Sequence, residues 1–160
     1  MRFPYWWFWF MSPIAFAAPL QADADGATPD LRGRWATQGF GSIVEISRCG
    51  DSMCGRIIWL WDADDAAGNP RRDRHNPDAS LRNRGLNGIE ILRGFVPAGD
   101  ATWRRGRVYN PDDGRTYSGE VRLVDGDTLE LTGCALRVFC QTQRWYRLDT
   151  LLRQIESGGR

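Results

Sequence analysis

A single histidine limits the acid–base chemistry open to this chain. His75 is followed by Asn76-Pro77-Asp78, and a histidine beside a carboxylate can act as a general base. His75 and Asp78 are therefore one candidate catalytic pair. Asn, Pro and Asp are also turn formers, and no serine or cysteine nucleophile has a recognisable motif nearby. We favour the turn and predict no enzymatic activity, with an enzyme using His75 and Asp78 as a lesser alternative.

The other polar residues do not form the patterns that are typical of metal or cofactor sites. All 21 basic residues are arginine, which excludes Schiff-base chemistry at lysine. One histidine excludes a multi-histidine metal site. Closely spaced oxygen ligands suit Ca²⁺, and one acidic segment carries them: Asp62, Asp64, Asp65, Gly68, Asn69 and Asp73. Ala66 stands where an EF-hand would place a third ligand, and the neighbouring arginines repel a cation. We predict a solvated loop, no metal and no cofactor.

Aromatic residues are numerous outside the N-terminus. Five of them are candidates for lining a ligand pocket: Trp59, Trp61, Trp103, Tyr109 and Tyr117. They can equally fill a protein core. Composition does not choose between a pocket and a filled interior, so both alternatives stay open.

Two arginines share a predicted strand with these aromatic residues. Strand alternation places Arg105 and Arg107 on one face with Trp103 and Tyr109. If that face points inward, the guanidinium groups can bind an anionic head group. If it points outward, they are ordinary surface charges, and we favour this second interpretation. The formal net charge is only +1, so no nucleic-acid partner is predicted.

The first residues read as an export signal. Arg2 precedes an apolar run over residues 3–16, and Ala15-Phe16-Ala17 has the small-x-small pattern of a signal peptidase site. Ala22-Asp23-Ala24 is a second candidate site, and an uncleaved anchor is the alternative. We predict a signal peptide over residues 1–17, a flexible leader over 18–32, and a location in the periplasm or outside the cell. No stable membrane insertion is expected after cleavage.

Four cysteines agree with export, because disulfides persist in an oxidising compartment. They form two close pairs, Cys49 with Cys54 and Cys134 with Cys140. Neither spacing is that of a zinc ribbon or a thioredoxin-type motif. Each pair flanks a sequence typical of a hairpin tip. We predict a local disulfide in each, although three pairings are possible in principle.

The elements that must position these residues are short strands. Turn signals divide residues 33–148 into about eight strands, which predicts an all-β, antiparallel up-and-down barrel. The strand from Cys54 to Trp61 is apolar on both faces, so we expect both faces to be buried or one of them to line a pocket. Ile89, Ile91 and Phe95 are expected to share one face. Residues 149–160 are expected to form a polar tail, and a frayed helix at its end is the alternative to a fully irregular segment.

One long segment, residues 62–88, interrupts this succession of short strands and turns. It is rich in Asn, Pro, Arg and Asp, and a helical turn is expected within it near residues 79–84. A connection of this length is usually functional rather than a simple linker. It is therefore a candidate surface for docking a protein of the cell envelope.

Several short sequence motifs, in their order and spacing, resemble those of one exported bacterial family. They include Gly33-Arg34-Trp35, Asn76-Pro77-Asp78, Leu81-Arg82-Asn83-Arg84, Tyr109-Asn110-Pro111 and Asp113-Gly114-Arg115-Thr116-Tyr117, together with Ile57-Ile58-Trp59-Leu60 and the Cys49-Gly50 and Cys54-Gly55-Arg56 pair. The chain is similar to the family titled domain of unknown function 2147 from Gly33 to Arg147. The resemblance implies a lipocalin-like or calycin-like barrel, but no established activity.

The resemblance also implies a structural signature. Gly33 and Trp35 are similar to the first-strand motif of lipocalins, in which the tryptophan packs beneath an arginine from the last strand. Arg147 or Arg144 would supply that cation–π contact here. Fold and composition together favour a non-enzymatic protein that binds a small, partly apolar or amphiphilic ligand. The alternative is a structural or interaction module of the cell envelope acting through residues 62–88.

Overall fold

The computed structural model describes residues 30–136 and 138–158; the predicted signal peptide lies outside them. Eight antiparallel strands, each paired with the next and the last with the first, form a closed up-and-down barrel. The predicted fold is therefore confirmed. The strands are β1 (Gly33–Ala36), β2 (Ser42–Cys49), β3 (Ser52–Leu60), β4 (Glu90–Pro97), β5 (Thr102–Asn110), β6 (Arg115–Leu123), β7 (Thr128–Ala135) and β8 (Phe139–Arg147), and helix α1 (Leu148–Gly158) follows.

The up-and-down order gives the barrel two distinct ends. The β1–β2, β3–β4, β5–β6 and β7–β8 connections lie at one end, which we call the upper end. The remaining three connections, the entry of the chain at Asp30 and helix α1 lie at the lower end. The long segment between β3 and β4 therefore belongs to the upper end. Among the described residues, no helix is long and apolar enough to cross a membrane.

One hydrophobic cluster occupies the barrel interior from the lower end to the β3–β4 side of the upper end. Strand alternation delivers its members from every strand, because side chains at i and i+2 share a face. Those exposed by less than 2% include Trp35, Val44, Leu92, Phe95, Val121 and Leu129. Burying side chains of this size stabilises a fold by about 1.5–3 kcal/mol each relative to leaving them exposed.

The lower end is closed by residues assigned above to the flexible leader. Leu31 is 2% exposed and belongs to the core cluster. Its carbonyl accepts a hydrogen bond from Trp35 Nε1 at 3.0 Å. Arg147 donates to the carbonyls of Asp30 and Arg32, both at 3.0 Å. The prediction of flexibility is therefore wrong for residues 30–32, because an apolar side chain and backbone acceptors bind them to the barrel.

A register shift in β3 changes which side chains face outward. Ile43 pairs with Trp59 and Val44 pairs with Ile57, so Ile58 has no partner on β2. Such a bulge moves the following residues to the opposite face. Trp59 is 41% exposed as a result. The prediction that Cys54 to Trp61 is buried on both faces is therefore wrong.

Strand β4 departs from simple alternation for the same reason. Its pairing with β3 shifts register twice, between Met53 and Arg56. Ile91 and Phe95 are buried as expected, and so is Leu92, which lies between them in the chain. The bulges turn more apolar side chains inward than a regular strand of this length would.

Both predicted disulfides are present, and this pairing is confirmed. Cys49–Cys54 closes the turn between β2 and β3 at the lower end. Cys134–Cys140 joins directly opposite residues of β7 and β8 near the upper end. The C-terminal segment is helical from its start: residues 148–158 form a helix that begins directly after β8 and buries none of its residues, whereas a helix was expected only at the end of the tail.

Candidate functional site

A buried carboxylate holds the long segment against the barrel. Asp73 is fully buried and accepts hydrogen bonds from four donors. Arg84 contributes Nε at 2.9 Å and Nη2 at 2.7 Å, and Asn76 Nδ2 donates at 2.7 Å. The Tyr109 hydroxyl of β5 donates to the other carboxylate oxygen. Every partner but Tyr109 lies in the long segment, so this network joins that segment to the barrel wall.

The same contacts shift the pKa values of Asp73 and Tyr109. Burial raises the pKa of Asp73, but the hydrogen bonds from Tyr109, Asn76 and Arg84 outweigh it and leave this pKa below its ordinary value. Burial and the hydrogen bond to Asp73 raise the pKa of Tyr109 to about 12. Asp73 is therefore an anion and Tyr109 a neutral donor across the physiological range.

Two acidic residues of the long segment, Asp65 and Asp73, serve local structure. Asp65 accepts from the backbone N–H groups of Ala67 and Asn69, both at 3.0 Å, and Asp73 is bound to Arg84. Within residues 30–136 and 138–158, no group of three or more His, Cys, Asp or Glu side chains is placed to hold a metal ion.

His75 and Asp78 lie in a turn at the upper end. Asp78 accepts from the Ser80 N–H at 2.9 Å and caps a short 3-10 turn, Ala79–Leu81, while its own N–H donates to Asn76 Oδ1. The backbone of His75 lies over Gly114, where a Cβ would stand 1.8 Å from the His75 carbonyl oxygen. The imidazole is exposed to solvent.

A bulge in β5 separates residues that alternation had grouped. Trp103 pairs with Val121 and Gly106 pairs with Gly119, so β5 carries one extra residue between them. Arg105 adopts a positive φ of 63° at this point. Trp103 therefore faces the core, whereas Arg107 lies on the outer face. The expected common face for Trp103, Arg105, Arg107 and Tyr109 is wrong because of this bulge.

An arginine-rich cleft occupies the outer wall beneath the long segment. Its volume is about 670 Å³, and we call it the arginine cleft. Two predicted residues, Arg107 and Tyr109, line it. The remaining side chains and backbone come from β3, β4, β6 and the long segment and include Arg56, Arg84, Gly88, Glu90, Arg93 and Thr116.

The inner face of the upper barrel forms a second candidate site. Gly133 pairs with Gln141, and Leu131 pairs with Gln143. Trp145, two residues further along the same face, is buried and donates through Nε1 to Gln143 Oε1 at 3.0 Å. Gln141 and Gln143 are nevertheless exposed. On the β7–β8 side the interior is thus packed up to Trp145 and open above it.

We call this open region the upper mouth and define it by Tyr117, Gly133, Phe139, Gln141 and Gln143. A Cβ at Gly133 would meet only the Cβ of Tyr117, at 3.7 Å. Phe139 is 73% exposed at the rim, and the Tyr117 hydroxyl donates to the Asp113 carboxylate. The upper mouth therefore offers aromatic surface next to two amide side chains.

The other predicted ligand residues are dispersed. Trp59 and Trp61 pack edge to face on the outside of the barrel, with ring centroids 5.9 Å apart. Trp103 is a core residue whose remaining exposed edge lines a cleft of about 500 Å³ at the lower end, together with Leu31 and Met53. The structure therefore does not assemble the five aromatic candidates into one pocket.

The predicted structural signature comes together at the lower end. The guanidinium carbon of Arg147 lies 4.3 Å from the Trp35 ring centroid, whereas Arg144 pairs with Glu130. A Cβ at Gly33 would stand 2.8 Å from Arg147 Nη1, and the φ of this glycine is +128°. Gly33 is therefore required for the close passage of Arg147.

The sequence interpretation missed residues that the structure brings into both sites. Arg56 and Arg93 reach the arginine cleft because bulges set the strand registers. In the interior, Gly106, Gly119 and Gly133 form a row across β5, β6 and β7. Glycine within three neighbouring strands was a usable signal, because strand glycines often mark a close approach of other groups.

Comparison with known proteins supports the architecture. A family model described as "Uncharacterized protein conserved in bacteria (DUF2147)" matches residues 33–147. Among solved structures, protein HP1028 from Helicobacter pylori, described as belonging to the lipocalin family, is similar with a TM-score of 0.67 and 28% identity over 81% of this chain and 90% of that chain. No curated protein sequence matches the chain.

Proposed function

Since the chain belongs to the DUF2147 family and its barrel is lipocalin-like, we propose that it is a non-enzymatic binder of a small, partly apolar ligand. An eight-stranded barrel is just wide enough to hold side chains or one small ligand. Here the core cluster fills the interior except on the β7–β8 side of the upper end. We place the ligand in the upper mouth.

The change of burial along β8 carries this proposal. Its inward-facing residues pass from Trp145, which is 2% exposed, to Phe139, which is 73% exposed. Gly133 on the neighbouring strand leaves space beside Tyr117. An apolar group packs against the two aromatic rings, and the amides of Gln141 and Gln143 donate and accept hydrogen bonds. Ligand sites of this kind combine apolar lining with a few polar groups.

A matched pair of substitutions tests the position of the ligand. Gly133→Leu fills the upper mouth, whereas Thr132→Leu places the same side chain on the outer face of the same strand. Binding is measured with N-phenyl-1-naphthylamine, an uncharged fluorescent probe. We expect saturable binding to the native protein, a loss of affinity of about tenfold or more in Gly133→Leu, which corresponds to about 1.4 kcal/mol, and no loss in Thr132→Leu.

The opposite results are equally clear. No saturable enhancement of emission with the native protein contradicts the binding function. Equal affinity in the native and Gly133→Leu proteins contradicts the upper mouth as the site. Native mass spectrometry of protein purified from the bacterium that makes it provides an independent check, because a ligand held in the upper mouth adds a discrete mass.

Export to the periplasm or the exterior is part of the same proposal. Two disulfides fit an exported protein, since reducing compartments rarely sustain them. The signal peptide over residues 1–17 rests on the sequence pattern. Cell fractionation and N-terminal sequencing test it, with Ala18 expected as the first residue. Full-length protein in the cytoplasm contradicts it.

A further inference from the structure

Two arginines of the arginine cleft stand directly opposite each other. Arg93 of β4 and Arg107 of β5 are cross-strand partners, and both lie on the outer face. Like charges at directly opposite positions destabilise an antiparallel pair. The core does not require either side chain, because both are exposed. Their placement indicates a countercharge that approaches from solvent.

The carboxylates of the cleft do not supply enough negative charge. Glu90 forms ion pairs with two arginines: one carboxylate oxygen contacts Arg93, and the other lies 3.6 Å from Arg56 Nη2. Arg84 is held by the buried Asp73. In the part of the chain that the structure describes, no carboxylate pairs with Arg107. Four arginines thus face two carboxylates, and an excess of two positive charges remains in a concave site.

We propose that the arginine cleft binds the phosphate group of a small organic phosphate monoester. Guanidinium groups bind phosphate through paired, charge-assisted hydrogen bonds. A phosphate monoester carries a charge of about −1.5 to −2 at pH 7, which matches the excess charge, whereas a monocarboxylate would leave one arginine uncompensated. The organic part lies along the Tyr109 and Thr116 side of the cleft. This site is separate from the upper mouth and does not depend on the function proposed for it.

Isothermal titration calorimetry with phenyl phosphate, benzoate and inorganic phosphate tests the ligand class. Phenyl phosphate and benzoate share a ring and differ in the charge of the anionic group. At low ionic strength we expect the native protein to bind phenyl phosphate at least about tenfold more tightly than benzoate and than inorganic phosphate. Equal affinity for phenyl phosphate and benzoate overturns the proposal. Equal affinity for inorganic phosphate overturns the assignment to an ester.

Arginine variants locate the site. Arg107→Gln and Arg93→Gln should each weaken phenyl phosphate binding by about tenfold or more. Arg122→Gln is the matched control, because Arg122 lies on the outer face of β6 in an ion pair with Glu130. Gly133→Leu should also leave this binding unchanged. If Arg122→Gln weakens binding as much as Arg107→Gln does, the effect is general electrostatics and the cleft is not the site.

Thermal stability provides a second readout that a purely structural role would not produce. Without phosphate ester, Arg107→Gln should melt at or above the temperature of the native protein, because it removes the repulsion with Arg93. At a phenyl phosphate concentration that saturates the native protein, the native protein and Arg122→Gln should show the full rise in melting temperature, and Arg107→Gln a smaller one. An Arg107→Gln variant that is destabilised without the ester and gains as much as the native protein with it contradicts the proposal.

Discussion

Replacing Gly106 with alanine should destabilise the barrel, whereas the same change at Gly133 should not. Both glycines belong to the row across β5, β6 and β7. A Cβ at Gly106 would stand 2.3 to 2.4 Å from three carbons of the Phe95 ring. At Gly133 the nearest atom would be the Cβ of Tyr117, at 3.7 Å, which is an ordinary contact. Gly119 is intermediate, with Phe95 and Val108 carbons at 2.7 Å.

The size of the effect follows from how little Phe95 can move. Its side chain is 1% exposed and surrounded by the core cluster. Overpacking of a filled core costs about 1–3 kcal/mol. Against this, a Gly→Ala change in compatible backbone stabilises by about 0.4–1 kcal/mol through the unfolded state. We therefore expect Gly106→Ala to destabilise by about 1–3 kcal/mol and Gly133→Ala to be neutral or slightly stabilising.

Urea denaturation with intact disulfides, followed by tryptophan fluorescence, measures these differences. A double-mutant cycle with Phe95→Leu isolates the proposed contact, because a smaller side chain leaves room for the new methyl group. The cost of Gly106→Ala should fall in the Phe95→Leu background. If Gly106→Ala is as stable as Gly133→Ala, or if its cost is the same in both backgrounds, the packing of Phe95 over the glycine row is wrong.

Three further predictions concern polar contacts. Arg147→Lys should destabilise by about 1–3 kcal/mol in urea denaturation, because the compact ammonium group cannot cover the Trp35 ring and reach three separate carbonyl oxygens at the same time. Arg84→Gln leaves the Asp73 carboxylate without its ion pair and should cost about 1.5–3 kcal/mol, the range for a hydrogen bond to a charged group, a loss that disappears in acid. The Asp73 pKa is lowered, so its contribution to stability is present at neutral pH and lost as the pH falls below about 4. Tyr109→Phe should remove the phenol that titrates at about 12 in absorbance, and the stability that this phenol contributes below pH 10 should be lost as the pH rises towards 12.

The strands and the closure of the barrel were predictable because they depend on local periodicity and turn chemistry. The alternation of apolar and polar side chains over residues 117–123 predicts a strand, and Asp125-Gly126 predicts a tight hairpin turn after it. Strand β6 and its hairpin with β7 agree with this pattern. The disulfides were predictable because each pair flanks a hairpin tip. These signals all act within a few residues of the chain.

The orientation of individual side chains was not predictable where bulges occur. One extra residue in β3 moves Trp59 outward, and one in β5 separates Trp103 from Arg107. Each bulge reverses every side chain beyond it relative to strict alternation. Bulges are set by packing across strands that are distant in sequence, such as Phe95 against Gly106. The residues around one strand therefore do not reveal them.

Residues 62–88 behave as part of the barrel wall rather than as a mobile lid. Leu86 near its end and Ile89 directly after it belong to the core cluster, and Asp73 joins its middle to Tyr109 of β5. Arg84, which Asp73 orients, lines the arginine cleft. The cleft therefore takes one wall from the barrel and another from a segment fixed by a buried ion pair. A ligand can meet such a site with little loss of conformational freedom in the protein, which favours binding of a small anion by positions that are already set.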